Sequence, residues 1–222
     1  MIRESFATNG FVLAPDVVPA GECEAIAELV ALTSGSVGSR CLLPNEWCAR
    51  LAKRVQSASV IAELVPADYV AVQCTYFEKS LERNWLVSVH QDLSIPVAER
   101  VDHAALGGWS EKEGTLFVQA PPETLEQLVA VRLHLDPCSV DDGPLRVVPG
   151  SHRVGCFSPE AAIEARRKSE VACPSGQGGV LAMRPLLLHA SSKSRGLSRR
   201  RVLHFLFAPP TLKYGLRWQH AV

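Results

Sequence analysis

In the run WLVSVHQDLSIPV, which begins at Trp85, His90 and Asp92 stand two apart among β-forming residues. Side chains alternate along a strand, so residues two apart share a face. A strand over this run places an imidazole and a carboxylate together and turns Gln91 the other way. Two chemistries fit. One is a buried histidine satisfied by a neighbouring carboxylate. The other is a pair of metal ligands: two histidines and one carboxylate cover one face of an octahedron and leave three positions open, which suits non-haem Fe(II) oxygen chemistry. The second reading needs another histidine on another strand. His189, late in GGVLAMRPLLLHA, has no periodicity role and is the candidate. Eleven positions on, Arg200 opens RRVLHFLFA. A guanidinium there could hold a carboxylate with two parallel hydrogen bonds, and alternation turns Arg200 away from Arg199 and Arg201.

The elements that must position these residues change character along the chain. In the first third, PAGECEAIAELVALTSG places Cys23, Ile26, Ala27 and Val30 at helical spacing, with Gly35 as a stop. PNEWCARLAKRV places Trp47, Leu51 and Val55 four apart after Asn45, a candidate cap. SASVIAELVP is a third, short helix ended by Pro66. From Ala67 onward, DYVAVQCTYFEK, WLVSVHQDLSI, TLFVQA, LVAVRLHLD, GPLRVVPGS, GGVLAMRPLLLHA and RRRVLHFLFAP read as strands divided by Gly, Pro and Asp turns; SPEAAIEARRKS is a surface helix among them. Short strands at close spacing predict an all-β sandwich or barrel core under a helical N-terminal layer, as one domain over residues 1–222.

Composition narrows the function. The 222 residues are 47% hydrophobic and 21% charged, and 23 Lys and Arg balance 23 Asp and Glu. A formal charge of zero gives no footing for nucleic acid or an anionic membrane. No apolar stretch reaches the length of a transmembrane helix, and the N-terminus lacks a signal-peptide core. The seven cysteines contain no C-x-x-C pair, which argues against a zinc knuckle and for free thiols in the cytoplasm. PSGQGG from Pro174 lacks the lysine of a phosphate loop, and GSH at Gly150 is no nucleophile elbow.

Taken together, His90-Gln91-Asp92, GPLRVVPGSHRVG from Gly143, His189 and Arg200 resemble the phytanoyl-CoA dioxygenase family. The opening FATNGFVLAPDVVPAGE is similar to the family's N-terminal segment, so the resemblance covers nearly the whole chain. It implies a double-stranded β-helix of the jelly-roll or cupin kind, and an Fe(II)- and 2-oxoglutarate-dependent oxygenase that consumes O₂ and releases succinate and CO₂. By this resemblance His90, Asp92 and His189 are the iron ligands. Arg200 pairs with the distal carboxylate of 2-oxoglutarate, Ser191 supplies a hydroxyl beside it, and Lys79 and Gln73 are further polar contacts. Lys193 and Ser194 stand where many members have an asparagine, and the chain is short for the family. The expected reaction is hydroxylation of a small molecule. Desaturation, epoxidation or cyclisation with the same cofactors is an alternative, and so is a non-catalytic β-barrel binding protein.

One strand also speaks to the substrate. In LVAVRLHLD, Val131, Leu133 and Leu135 take one face and Arg132, His134 and Asp136 the other. The apolar face suits the helical layer, so Arg132 and His134 are expected in the cavity. An inward arginine wants an anion, which makes Arg132, with His134 beside it, a candidate contact for an anionic substrate such as an amino or carboxylic acid. The competing reading is a structural pair of Arg132 with Asp136 or Asp92. His152 is expected to be structural or to line the pocket, and His103, His204 and His220 to be surface or packing residues.

Overall fold

The computed structural model describes residues 1–30, 38–40, 42–196 and 199–222. The elements run α1 (Ile2–Asn9), β1 (Phe11–Ala14), α2 (Ala20–Leu29), β2 (Gly38–Ser39), α3 (Glu46–Ser57), α4 (Ser59–Ala62), β3 (Val70–Lys79), β4 (Val87–His90), β5 (Ser94–Val97), β6 (Gly107–Lys112), β7 (Thr115–Gln119), α5 (Pro122–Leu125), β8 (Val129–His134), β9 (Leu145–Val147), a 3-10 turn (Ser151–Val154), α6 (Pro159–Lys168), β10 (Val171–Cys173), β11 (Val180–Met183), β12 (His189–Ser191) and β13 (Arg200–Ala208). The strands form three antiparallel sheets: β1-β11-β8-β13-β3-β2, β10-β9-β12-β4 and β5-β7-β6. This is the mainly β architecture that the strand spacing predicts, arranged as the jelly roll that the family resemblance implies.

The large sheet is buried on both faces, and each face has its own core. Val131, Leu133, Leu203, Phe205 and Phe207 pack with Ile26, Leu51, Val55 and Ile61 of the helical layer. The opposite face sends Ala130, Leu181, Met183 and Leu206 toward Leu145 and Val147 of the second sheet. The face alternation read from LVAVRLHLD is therefore the one observed. No helix among the described residues is long and apolar enough to cross a membrane.

Several details depart from expectation. Asn45 holds the N-cap position of α3, but its side chain donates to the Leu42 carbonyl (2.8 Å) and does not accept from the helix. In α6, by contrast, Ser158 caps by accepting from Ala161 N–H. Helix α2 ends at Leu29, and the Gly35 stop lies outside the described residues. The larger correction concerns the two ligand-bearing runs, each read as a single strand. WLVSVHQDLSI divides into β4, in the second sheet, and β5, in the third. GGVLAMRPLLLHA divides into β11, in the large sheet, and β12, in the second. Pro185 lacks an N–H and cannot continue a ladder, so the chain leaves one sheet and enters another there.

Candidate functional site

His90 and His189 face each other as a direct cross-strand pair of β4 and β12. Their rings lie 4.2 Å apart between centroids. Each ring is fixed by its own strand: Nδ1 of His90 meets the Ser88 carbonyl at 2.8 Å, and Nδ1 of His189 meets the Leu187 carbonyl at 2.8 Å. A carbonyl only accepts, so Nδ1 carries the proton and Nε2 keeps its lone pair. Asp92 completes the group, with Oδ1 3.8 Å from His90 Nε2 and Oδ2 3.6 Å from His189 Nε2. One donor atom from each residue lies within 4.8 Å of the others.

Asp92 does not lie on the same strand face as His90. Strand β4 stops at His90, and Asp92 sits in the link to β5, its N–H on the Pro185 carbonyl (3.0 Å). The pair converges because Gln91 anchors the link. Its amide donates to the carbonyls of Gly155 (2.7 Å) and Leu186 (2.6 Å), and its oxygen accepts from Phe157 N–H (2.8 Å). Gln91 is a positioning residue that sequence reasoning left without a role; a polar side chain between two ligands was the available signal.

The electrostatics suit a cation. Burial raises the Asp92 carboxyl, but His189, His204, His90 and Arg132 more than offset it and hold it below the usual range. Burial pushes His189 down to about 4 against the pull of Asp92. Two neutral imidazole nitrogens and one ionised carboxylate, converging beside a cavity of about 460 Å³, form the donor set expected of Fe(II).

Arg200 and Ser191 line the same cavity. Arg200 is buried, makes no ion pair with a carboxylate among the described residues, and donates to the Gly143 carbonyl. Ser191 Oγ donates to the same carbonyl at 2.9 Å. Lys79, opposite Arg200 on β3, is buried behind them and does not line the cavity. It donates to Ser191 Oγ (2.6 Å) and to the Ser192 carbonyl. Burial, then Arg200 and Arg132, push its amine down to about 7. Gln73 lines the cavity, with its amide on Thr75 Oγ1 (2.9 Å). The neighbours of Arg200 are spent elsewhere, Arg199 on Glu78 (2.8 Å) and Arg201 on both oxygens of Asp136 (2.6 and 2.8 Å).

Arg132 lines the cavity, but His134 does not. His134 shares the inward face yet is enclosed, and neither ring nitrogen has a partner among the described residues. Burial, then Arg132 and Arg200, push it down to about 3. The partner of Arg132 is His204, expected to be a packing or surface residue. Nη1 of Arg132 meets His204 Nδ1 at 3.0 Å, and His204 Nε2 lies 4.0 Å from Asp92 Oδ2. The register explains the meeting, since His204 pairs with Arg132 across β13 and β8. Its position four residues after Arg200 on one strand was the missed signal. His152 packs near Gly10, its Nε2 3.2 Å from the Ala7 carbonyl, away from this cavity.

A site of this composition in a jelly roll defines a class, the non-haem iron oxygenases. The family described as phytanoyl-CoA dioxygenase (PhyH) matches residues 6–202, and the chain belongs to that family. It is thus a 2-oxoglutarate-dependent non-haem iron dioxygenase, with Fe(II), 2-oxoglutarate and O₂ as its cofactors. Solved structures share the fold. The chain is similar to the non-heme alpha ketoglutarate dependent epimerase SnoN from nogalamycin biosynthesis (TM-score 0.66, 18% identity, 95% of this chain and 82% of that one). It is also similar to HygX from Streptomyces hygroscopicus with nickel and 2-oxoglutarate bound (0.62, 19%, 93% and 87%). A third is EctD from S. alaskensis (0.68, 17%, 99% and 82%). Among curated proteins, none matches the sequence.

Proposed function

We propose that the protein hydroxylates a small molecule at a centre held by His90, Asp92 and His189. The observation that carries this reading is the cross-strand meeting of His90 and His189, with Asp92 between them, on a cavity that also holds a buried Arg200 that makes no ion pair among the described residues. When bound, iron with 2-oxoglutarate and O₂ supplies the oxidising power, with release of succinate and CO₂. The chain's own residues place the reactants. The Nδ1 hydrogen bonds of the two histidines keep both Nε2 lone pairs aimed inward. Arg200 and Ser191 receive the distal carboxylate of 2-oxoglutarate, and Lys79 holds Ser191 in place from behind. Gln73 extends this polar wall. The apolar residues facing them exclude water, which strengthens each charged contact.

The chain acts as one domain over residues 1–222. The free thiols of the six described cysteines support a reducing, cytoplasmic setting. The test is succinate formation by the iron-loaded protein across a metabolite panel, followed by mass spectrometry under isotopically labelled O₂. A product that gains a labelled oxygen as a hydroxyl supports hydroxylation, and one that gains it as an epoxide points to epoxidation. A product that loses hydrogen without gaining oxygen points to desaturation or cyclisation, and no 2-oxoglutarate turnover at all removes the enzymatic reading.

A further inference from the structure

We propose that the substrate is a carboxylic acid with an apolar body and no free amino group, and that Arg132 receives its carboxylate. This rests on the site reading above and goes further by naming the substrate class.

Arg132 is a buried cation with unfinished bonding. It is 7% exposed and lines the cavity. Its guanidinium lies over the Phe77 ring at 5.3 Å, and Nη1 reaches His204. Arginine only donates, so His204 accepts at Nδ1 and is neutral there, with its proton on Nε2. Neither contact neutralises the charge, and Arg132 Nε is buried without a partner among the described residues. The acids that could have made Arg132 a structural pair are engaged. Asp136 is held by Arg201, and Asp92 faces the three histidines. Arg132 forms no ion pair among the described residues, and a buried guanidinium left in that state is costly.

Charge bookkeeping then selects the ligand. With the site filled as proposed, the charges of Fe(II) and Arg200 are met by Asp92 and the two carboxylates of 2-oxoglutarate. One buried positive charge remains, on Arg132, since the other basic residues of the wall, Arg40 and Lys112, are exposed; this suits a monoanion. The planar fork of its remaining donors matches a carboxylate. An ammonium on the same molecule has nothing to meet, because Asp92 is the one carboxylate among the described residues lining the cavity. This sets aside a free amino acid. Phe117, Leu125, Leu128, Leu145 and Leu206 give the wall an apolar part to receive the body of the ligand. Lys112, also on the wall, lies over the Phe117 ring at 5.1 Å and adds positive potential toward an incoming anion.

The test uses the protein loaded with Ni(II) and 2-oxoglutarate, so that binding is read without turnover, by thermal denaturation. Phenylpropionate and octanoate are compared with phenylpropanamide, phenylpropylamine, phenylalanine and phenyl phosphate. The acids are expected to raise Tm, and the amide, amine and amino acid to leave it unchanged. In Arg132→Gln, acid binding should weaken roughly ten- to a hundredfold, while the rise produced by 2-oxoglutarate itself persists. Arg132→Lys, which keeps the charge without the fork, should lie between. Equal binding of acid and amide, tighter binding of phenylalanine or phenyl phosphate, or no binding by either acid overturns the inference in the unmodified protein, with no variant needed. Loss of the 2-oxoglutarate effect in Arg132→Gln assigns the residue to the cosubstrate and also overturns it. If 2-oxoglutarate fails to stabilise the unmodified Ni(II) protein, the site reading itself fails and takes this inference with it.

Discussion

At the scale of single residues, the site depends on which nitrogen holds a proton and which way a side chain faces. His90 and His189 use the same device, Nδ1 on the carbonyl two residues back, so both Nε2 atoms remain donors to a metal. His90→Ala, Asp92→Ala and His189→Ala should each abolish Fe(II) binding in anaerobic titration and turnover with it, with the far-UV circular dichroism unchanged; full activity in any one removes that residue from the centre. Because Asp92 provides the third donor, a halide has no place to bind, and no chlorinated product is expected from the unmodified enzyme in chloride buffer. Arg200 is the second case. Alternation predicted that it faces away from its two neighbours, and the structure shows Arg199 on Glu78 and Arg201 on Asp136 with Arg200 buried between them. Losing a buried charge partner costs about 2–5 kcal/mol. Arg200→Ala should therefore raise the 2-oxoglutarate KM at least thirtyfold, and Arg199→Ala and Arg201→Ala should change it little. A comparable rise in all three variants would return Arg200 to the status of an ordinary basic residue.

At the scale of elements, the site is built where strands change sheets, and here the sequence was only partly legible. Hydrophobic alternation from Val87 to Ile95 is broken at Gln91 alone, and one polar residue in the apolar phase is too weak a signal to announce that β4 and β5 belong to different sheets. The joint is made by Gln91, whose three hydrogen bonds reach segments 64 to 95 residues away in sequence. Local pattern cannot encode contacts of that range, and for the same reason His204 was read as packing. Gln91→Ala leaves buried carbonyls unpaired, which costs about 1–3 kcal/mol, and lets Asp92 swing away from the histidines. A tenfold to hundredfold loss of metal affinity is expected, read by competition with a chelator; unchanged affinity at reduced stability would make Gln91 purely structural. A second joint lies at Gly143, φ +64, whose carbonyl receives both Ser191 and Arg200. A Cβ there would stand 2.4 Å from the Ser192 carbonyl oxygen. Gly143→Ala should thus displace Ser191 and Arg200 together, raising the 2-oxoglutarate KM and lowering Tm, whereas a loss of Tm alone would separate the joint from the cosubstrate.

At the scale of the whole molecule, the polar groups enclosed between the sheets set the pH at which the fold fails. Burial holds His134 and His204 down at about 3 and His189 at about 4, against an ordinary 6.5. As the pH falls below 6.5 the unfolded chain takes up protons at these three positions while the folded chain does not. Stability is therefore complete above that value and is lost progressively down to about 3–4. With three protons in play the slope reaches up to about 4 kcal/mol per pH unit. Bound metal deepens the loss, because metal binding needs deprotonated ligands and weakens as the pH falls. His134 separates this effect from the site, since it does not line the cavity and its ring nitrogens have no hydrogen-bond partner among the described residues. His134→Leu removes two unpaired buried nitrogens and one of the three titrating groups. Urea denaturation of the metal-free protein between about pH 7 and pH 5 should show the unmodified chain losing stability steeply. His134→Leu should be at least as stable at neutral pH, with a slope shallower by about a third. Parallel slopes for the two proteins would mean that His134 is already protonated in the folded state, and that burial and the charges of Arg132 and Arg200 do not hold it neutral.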